Sequence, residues 1–178
     1  MGHRLGRVLI PQEEIARRVR ELGLSLSRDY EGKNPLLVGV LKGAVVFMAD
    51  LVRAIDIPLA ADFIAVGSYG NTTRSLGVVK ITADLSVSIE DRHVVIVEDI
   101  IDTGRTISYP KRNLQTRHPA SLKVMALLDK SERREVEVEL DYVGFTIPKE
   151  FVVGYGLDYR GLYRNLPYVA ALEEDPGG

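Results

Sequence analysis

Apolar positions along this chain recur with two different periods. Ile15, Val19, Leu22 and Leu26 are spaced at i, i+4, i+7 and i+11, the single buried stripe of an amphipathic helix. Pro11 suits the first turn of that helix, and Glu13 and Glu14 sit near its positive end. Leu36–Leu41 (LLVGVL) and His93–Glu98 (HVVIVE) are apolar on successive positions and predict strands buried on both faces. Val45–Ile55 predicts a second helix. Ala60–Val66, Val78–Thr82, Leu122–Leu128, Tyr142–Ile147, Phe151–Tyr155 and Val169–Leu172 predict further strands. Arg105–Arg117 reads as a third helix that starts near Thr106 and contains Pro110, which removes one early hydrogen bond. Buried strands alternating with helices over the first 130 residues indicate an α/β fold with a mostly parallel sheet. Ligands of such folds sit beyond the carboxyl ends of the strands.

Composition narrows the chemistry. The 178 residues form about one domain, with no repeat and no long linker. Cysteine is absent, which excludes a disulfide framework, a thiolate metal site and a cysteine nucleophile. Three histidines, at 3, 93 and 118, are too few for a histidine metal cluster. A net charge of −2 supplies no general field for nucleic acid. The longest apolar run, Leu36–Ala49, is interrupted by Lys42 and two glycines and falls short of the ~20 residues of a spanning helix. Residues 1–12 lack the apolar core of a signal peptide. A reducing, cytoplasmic setting, with neither nucleic acid nor membrane as partner, is the expectation. Carboxylates, hydroxyls, lysine, arginine and backbone amides must carry whatever chemistry there is.

The densest candidate is Val94–Thr106, VVIVEDIIDTGRT. An apolar strand delivers Glu98 and Asp99 at its carboxyl end, and Asp102, Thr103, Gly104 and Thr106 lead into a helix. A glycine and hydroxyls at a helix N-terminus gather free N–H groups, as a phosphate requires. Adjacent carboxylates suit a sugar diol or a hydrated magnesium ion. Acids alone would also serve to cap the helix, but two of them followed by Asp-Thr-Gly favour a site. Lys42 in its apolar run also points to function, because burying an unpaired ammonium is costly. Arg164 is open to reading as a surface ion pair, Phe151 as core and Tyr69 as a loop aromatic. Lys111, Arg112, Arg117 and His118 read as a solvated basic face.

Val94–Thr106 resembles the phosphoribosyl-pyrophosphate motif of type I phosphoribosyltransferases. Leu41–Ala44 resembles their pyrophosphate loop, and Ser68–Gly70 the start of their mobile lid. Phe151–Tyr159 with Tyr163–Leu166 resembles the C-terminal hood of the hypoxanthine(-guanine) branch. The resemblance implies one domain over 1–178: a mostly parallel sheet flanked by helices, a hood from about 140–178 with N-terminal residues, and a lid near 67–82. It implies purine salvage, by transfer of ribose 5-phosphate from phosphoribosyl pyrophosphate to hypoxanthine or guanine.

Roles follow from the same resemblance. Glu98 and Asp99 would hold the ribose hydroxyls directly or through Mg2+. Thr103, Gly104, Thr106 and the amide of Arg105 would cradle the 5-phosphate, with Asp102 as general base on the purine. Lys42 and Gly43 would bind pyrophosphate through a loop whose Leu41–Lys42 peptide is cis in the family, and Arg164 would join them. Asp158 would contribute to the purine pocket and hold a second Mg2+. Phe151 would stack on the purine, the Val152 backbone would read its edge, and Ser68 and Tyr69 would close the lid. The family often has a lysine three residues before the segment Tyr142–Phe145, donating to the purine's exocyclic oxygen, where this chain has Glu139. A homodimer or homotetramer is implied. A phosphoribosyltransferase for xanthine or another base and an RNA-binding regulator on the same fold are the alternatives.

Overall fold

The structure, a computed structural model, describes residues 2–68 and 79–174. Its elements in order are β1 (His3–Ile10), α1 (Gln12–Asp29), β2 (Leu36–Leu41), α2 (Val45–Arg53), β3 (Ala60–Ser68), β4 (Val79–Ala83), β5 (His93–Ile101), α3 (Arg105–Gln115), β6 (Ser121–Asp129), β7 (Tyr142–Thr146), β8 (Val152–Val153) and β9 (Val169–Glu174). A six-stranded sheet runs β4-β3-β2-β5-β6-β7, parallel except for β4 at its edge. A separate three-stranded antiparallel sheet runs β1-β9-β8.

The central strands alternate with period two between two cores. Leu37, Val95, Val97, Met125 and Leu127 face α1 and α2, where Ile15, Val19, Leu22, Leu26, Phe47 and Leu51 meet them. Leu36, Val38, Val40, Val94, Ile96, Val124 and Ala126 face the other way, against Ile107 and Leu114 of α3. Strands covered on both faces explain the unbroken apolar runs in the sequence. No helix among the described residues is long and apolar enough to cross a membrane.

Several boundaries differ from the sequence expectation. β1 had no sequence signal: Leu5 and Val8 are exposed, two register shifts interrupt its pairing, and its extended form comes from β9 at the far end of the chain. β5 continues past Glu98 to Ile101, because β6 keeps pairing with it as far as Ile101↔Asp129. β8 contains only two of the five expected residues. The chain turns out of the sheet at Gly154 and Tyr155, both at positive φ, and the Tyr155 and Gly156 N–H groups donate to Leu166 and Arg164 carbonyls. α3 starts within a residue of its expected position and tolerates a buried Pro110, so the proline costs one bond without ending the helix.

The strand order fixes where a ligand can enter. From β2 the chain moves outward to β3, and from β5 it moves outward in the opposite direction to β6 and β7. The β2–β5 ladder ends at Gly39↔Val97, so the two strands part at their carboxyl ends. A crevice at this reversal of direction is the expected binding position in an open parallel sheet. Because Leu37 is fully buried in the core beneath that crevice, Leu37→Ala should cost about 3 kcal/mol. Thermal unfolding should register this as a Tm lowered by roughly 10 °C.

Candidate active site

Residues leaving β2 and β5 line one cavity at the crevice: Val40, Leu41 and Gly43 on one side, Glu98–Gly104, Thr106 and Ile107 on the other, with Val66 from β3. A second cavity adjoins it beneath the small sheet, lined by Lys130, Phe151, Val152, Leu157 and Asp158. Asp99, Ile100 and Asp102 line both cavities. Two ligands seated side by side would therefore meet over Asp102.

The two acids of β5 are held in a low-dielectric position. Glu98 is 5% exposed, and burial, with the charge of Asp99, pushes its carboxyl well above the usual range. Burial likewise raises Asp99, to about 6, against the lowering effect of the Ile100 amide and Arg164; Asp158 adds to the rise. Asp99 packs directly on the loop after β2: a Cβ on Gly43 would lie 1.8 Å from Asp99 Oδ2, so any side chain there would displace that carboxylate. The Leu41–Lys42 peptide preceding it is cis. Lys42 itself is exposed, so the cost of burial does not account for it; Gly43 is the residue of that pair that lines the cavity.

Gly104 caps α3 with φ 85°, and a Cβ there would lie 2.4 Å from the Val136 carbonyl. Both facts exclude a side chain. The N–H groups of the first turn of α3 lack intrahelical partners. The guanidinium of Arg105 is turned away to Glu135, 2.6 Å distant, while its amide stays at the loop and donates to Thr103 Oγ1 at 3.4 Å.

Asp102 faces two cations, Lys130 Nζ at 3.6 Å and Arg133 Nε at 3.2 Å. Lys130 lies against Oδ2 and Arg133 against Oδ1, a buried oxygen that is ion-paired there but holds no hydrogen bond. Lys130 is 3% exposed; desolvation lowers its pKa, partly countered by Asp102. The sequence reading missed Lys130. It directly follows β6, at the end of the sheet where β5 carries the acids. Glu139, the position expected to answer for a lysine, lies elsewhere, in a groove with Lys111 and Arg112.

Phe151 is 50% exposed, which rules out core packing, and it meets Tyr159 edge-on. The Phe151 carbonyl accepts from Leu172 N–H at 2.8 Å, which makes that pair the hydrogen-bonded one. Strand alternation then leaves the Val152 N–H and C=O free at the outer edge of the small sheet. Arg164 is not a free surface cation: it donates to the Gly156 carbonyl at 2.6 Å and pairs with Asp158 at 2.8 Å. Gly156 in turn abuts the Gly43 carbonyl, which joins the pyrophosphate-loop candidate to the small-sheet segment. Tyr69 and the side chain of Ser68 lie outside the described residues. The basic run is partly engaged, since Arg117 binds Asp84 through two hydrogen bonds.

Among the described residues no group of three or more His, Asp or Glu could cage a metal ion. Magnesium is commonly held by one or two carboxylates together with substrate oxygens, and the pairs Glu98/Asp99 and Asp99/Asp158 fit that mode. Burial, with a smaller contribution from Asp158, raises Asp99, and a bound cation would favour its ionised form.

Comparison with known proteins agrees with this geometry. The family described as phosphoribosyl transferase domain matches residues 9–160. A hypoxanthine-guanine phosphoribosyltransferase of Streptococcus pneumoniae (strain ATCC BAA-255 / R6) is 52% identical, covering 95% of this chain and 94% of its own length. A bifunctional protein TilS/HprT of Listeria monocytogenes is 53% identical over 98% of this chain, and the chain spans 27% of that protein. A hypoxanthine phosphoribosyltransferase structure from Staphylococcus aureus superposes with TM-score 0.90 at 50% identity, covering 95% of this chain and 92% of that one.

A carboxyl raised to about 6 from 3.8 binds its proton more tightly in the folded state. Folding stability from Asp99 is therefore fully present near pH 4 and is lost as pH rises to about 6. Asp99→Asn should raise Tm by roughly 3 °C at pH 7.5 in chelator. That difference should shrink towards zero near pH 4.5 in calorimetric scans.

Proposed function

The chain belongs to the phosphoribosyl transferase domain family, and on that premise we propose that it transfers ribose 5-phosphate from phosphoribosyl pyrophosphate to hypoxanthine and guanine. The products are IMP or GMP and pyrophosphate, a reaction of purine salvage. The observation that carries this reading is Asp102, which lies where two cavities meet and whose buried Oδ1 is ion-paired with Arg133 but holds no hydrogen bond. A purine imidazole N–H is the donor it lacks.

The bond between the anomeric carbon and pyrophosphate breaks, its electrons leaving with pyrophosphate and positive charge developing on the ribose. The purine nitrogen forms the new bond, and its proton passes to Asp102. The first-turn amides of α3, with Thr103, Gly104, Arg105 and Thr106, hold the 5-phosphate. Glu98 and Asp99 accept from the ribose hydroxyls. Lys42, Gly43 and Arg164 receive pyrophosphate. Phe151 stacks on the purine, and the free backbone edge of Val152 reads it. The Lys130 ammonium, which has donors only, suits the 6-oxo oxygen and relieves the departure at Glu139. Glu98, Asp99 and Asp158 would hold magnesium together with substrate oxygens, and the bound ion would supply positive charge opposite the leaving group. Ser68 and Tyr69 exclude water from the activated sugar. The enzyme works in the cytoplasm as a homodimer or homotetramer.

Asp102→Asn should lower kcat by about 10²–10⁴-fold, while binding of phosphoribosyl pyrophosphate, followed by calorimetry, persists. Wild-type turnover in that variant would refute the proton transfer. Excess chelator should abolish product formation in a spectrophotometric assay, and added Mg2+ should restore it; undiminished turnover would remove the metal from the reaction.

A further inference from the structure

The loop between β5 and α3 is clamped from one side by the segment that follows β6. The Ile101 carbonyl accepts from Lys130 N–H at 3.0 Å. The Asp102 carbonyl accepts from Arg134 Nε at 3.2 Å. The Thr103 carbonyl accepts from the N–H groups of Glu135 and Val136, at 2.9 and 3.0 Å. Three successive carbonyls therefore point toward residues 130–136.

In a trans peptide the carbonyl of one residue and the N–H of the next point in opposite directions. Among the described residues the Leu41–Lys42 bond is the cis one. The N–H groups of Asp102, Thr103 and Gly104 are therefore turned away from the clamp. On that other side lies the cavity lined by Ile101–Gly104, Thr106 and Ile107, to which residues 130–136 do not contribute. Pulling the carbonyls outward aims the amides inward.

Arg134 is the one side chain in this clamp; the other donors are backbone. It is 18% exposed and is itself anchored by a hydrogen-bonded ion pair with Asp129, at the end of β6. Asp129 is held in place in turn, since its carbonyl accepts from Ile147 N–H at 2.9 Å. The Arg134 side chain also lies against Gly104, its Cδ 3.0 Å from where a Cβ would stand. One planar fork thus joins a fixed carboxylate to the one loop carbonyl that no backbone group reaches.

We propose that Arg134 is a positioning residue that orients the Asp102–Thr103 peptide, so that the Thr103 N–H faces the 5-phosphate of the donor. This rests on the phosphoribosyl reading of the cavity. Without the fork, the Asp102 carbonyl has no partner on the clamp side and the peptide is free to turn, removing one donor from an anion site. Lysine keeps the charge at 134 but cannot bridge the carbonyl and Asp129 with the same geometry.

Isothermal titration with ribose 5-phosphate, at fixed ionic strength, tests this apart from turnover. Wild-type protein should bind, and Arg134→Lys should bind about tenfold more weakly, ~1.4 kcal/mol. In steady-state assays the KM for phosphoribosyl pyrophosphate should rise by a similar factor, with a smaller fall in kcat. An arginine that only supports the fold would lower Tm and leave the affinity of the folded protein unchanged. Asp129→Asn, which keeps Arg134 and removes its anchor, should weaken binding in the same direction; this variant decides the matter if Arg134→Lys does not fold. Equal affinity in wild type and a folded variant overturns the positioning role. No binding to wild type overturns the phosphate site on which that role rests.

Discussion

Everything at the site depends on the parting of two parallel strands. β2 and β5 are paired through Gly39 and Val97 and then separate. Each gives up a hydrogen-bonding neighbour at the point where its chain leaves for opposite sides of the sheet. The gap is lined by backbone and by the residues each strand carries there: Gly43 from β2's loop, Glu98 and Asp99 from β5. Had the ladder continued, these acids would face a packed neighbour and could not remain polar. The apolar ladders below the gap make it rigid, and the gap makes the end of β5 usable.

Charge is distributed around this gap in opposed pairs. Burial disfavours the charged forms of Glu98 and Asp99, with Asp99 adding to the effect on Glu98 and Asp158 to that on Asp99, while Arg164 is brought close by its bond to Gly156 and its pair with Asp158. Lys130 and Arg133 stand on the far side of Asp102. The proposed reaction, which takes in an anionic sugar phosphate and releases pyrophosphate, calls for both signs within a few ångströms. The net charge of −2 hides this arrangement because it averages over it.

How much of this was legible depended on whether a residue's role is local. Buried strands announced themselves because both faces are covered, as LLVGVL and HVVIVE show. The acid-rich loop was legible because strand end, glycine and helix start are adjacent in sequence. β1 was not, because its extended form is imposed by β9, some 165 residues away. Lys130 was missed because its place is set by β5–β6 register and not by any short motif. Lys42 drew attention for burial it does not have, while Phe151, which on sequence alone reads as core, is half exposed. The clamp on the loop was also hidden, since it pairs residues 101–103 with 130–136 through backbone carbonyls that carry no sequence signature.

The central claim is that this crevice joins a phosphoribosyl donor to a 6-oxopurine. The most direct test is an initial-rate assay with phosphoribosyl pyrophosphate and Mg2+, offering hypoxanthine, guanine, xanthine and adenine in parallel. A buried ammonium at Lys130 favours a base that presents an oxygen acceptor at its six-position and disfavours one that presents an amino group. Hypoxanthine and guanine should be converted to their nucleotides with release of pyrophosphate, and adenine should not. Turnover of adenine alone, or of none of the four bases, would contradict the account.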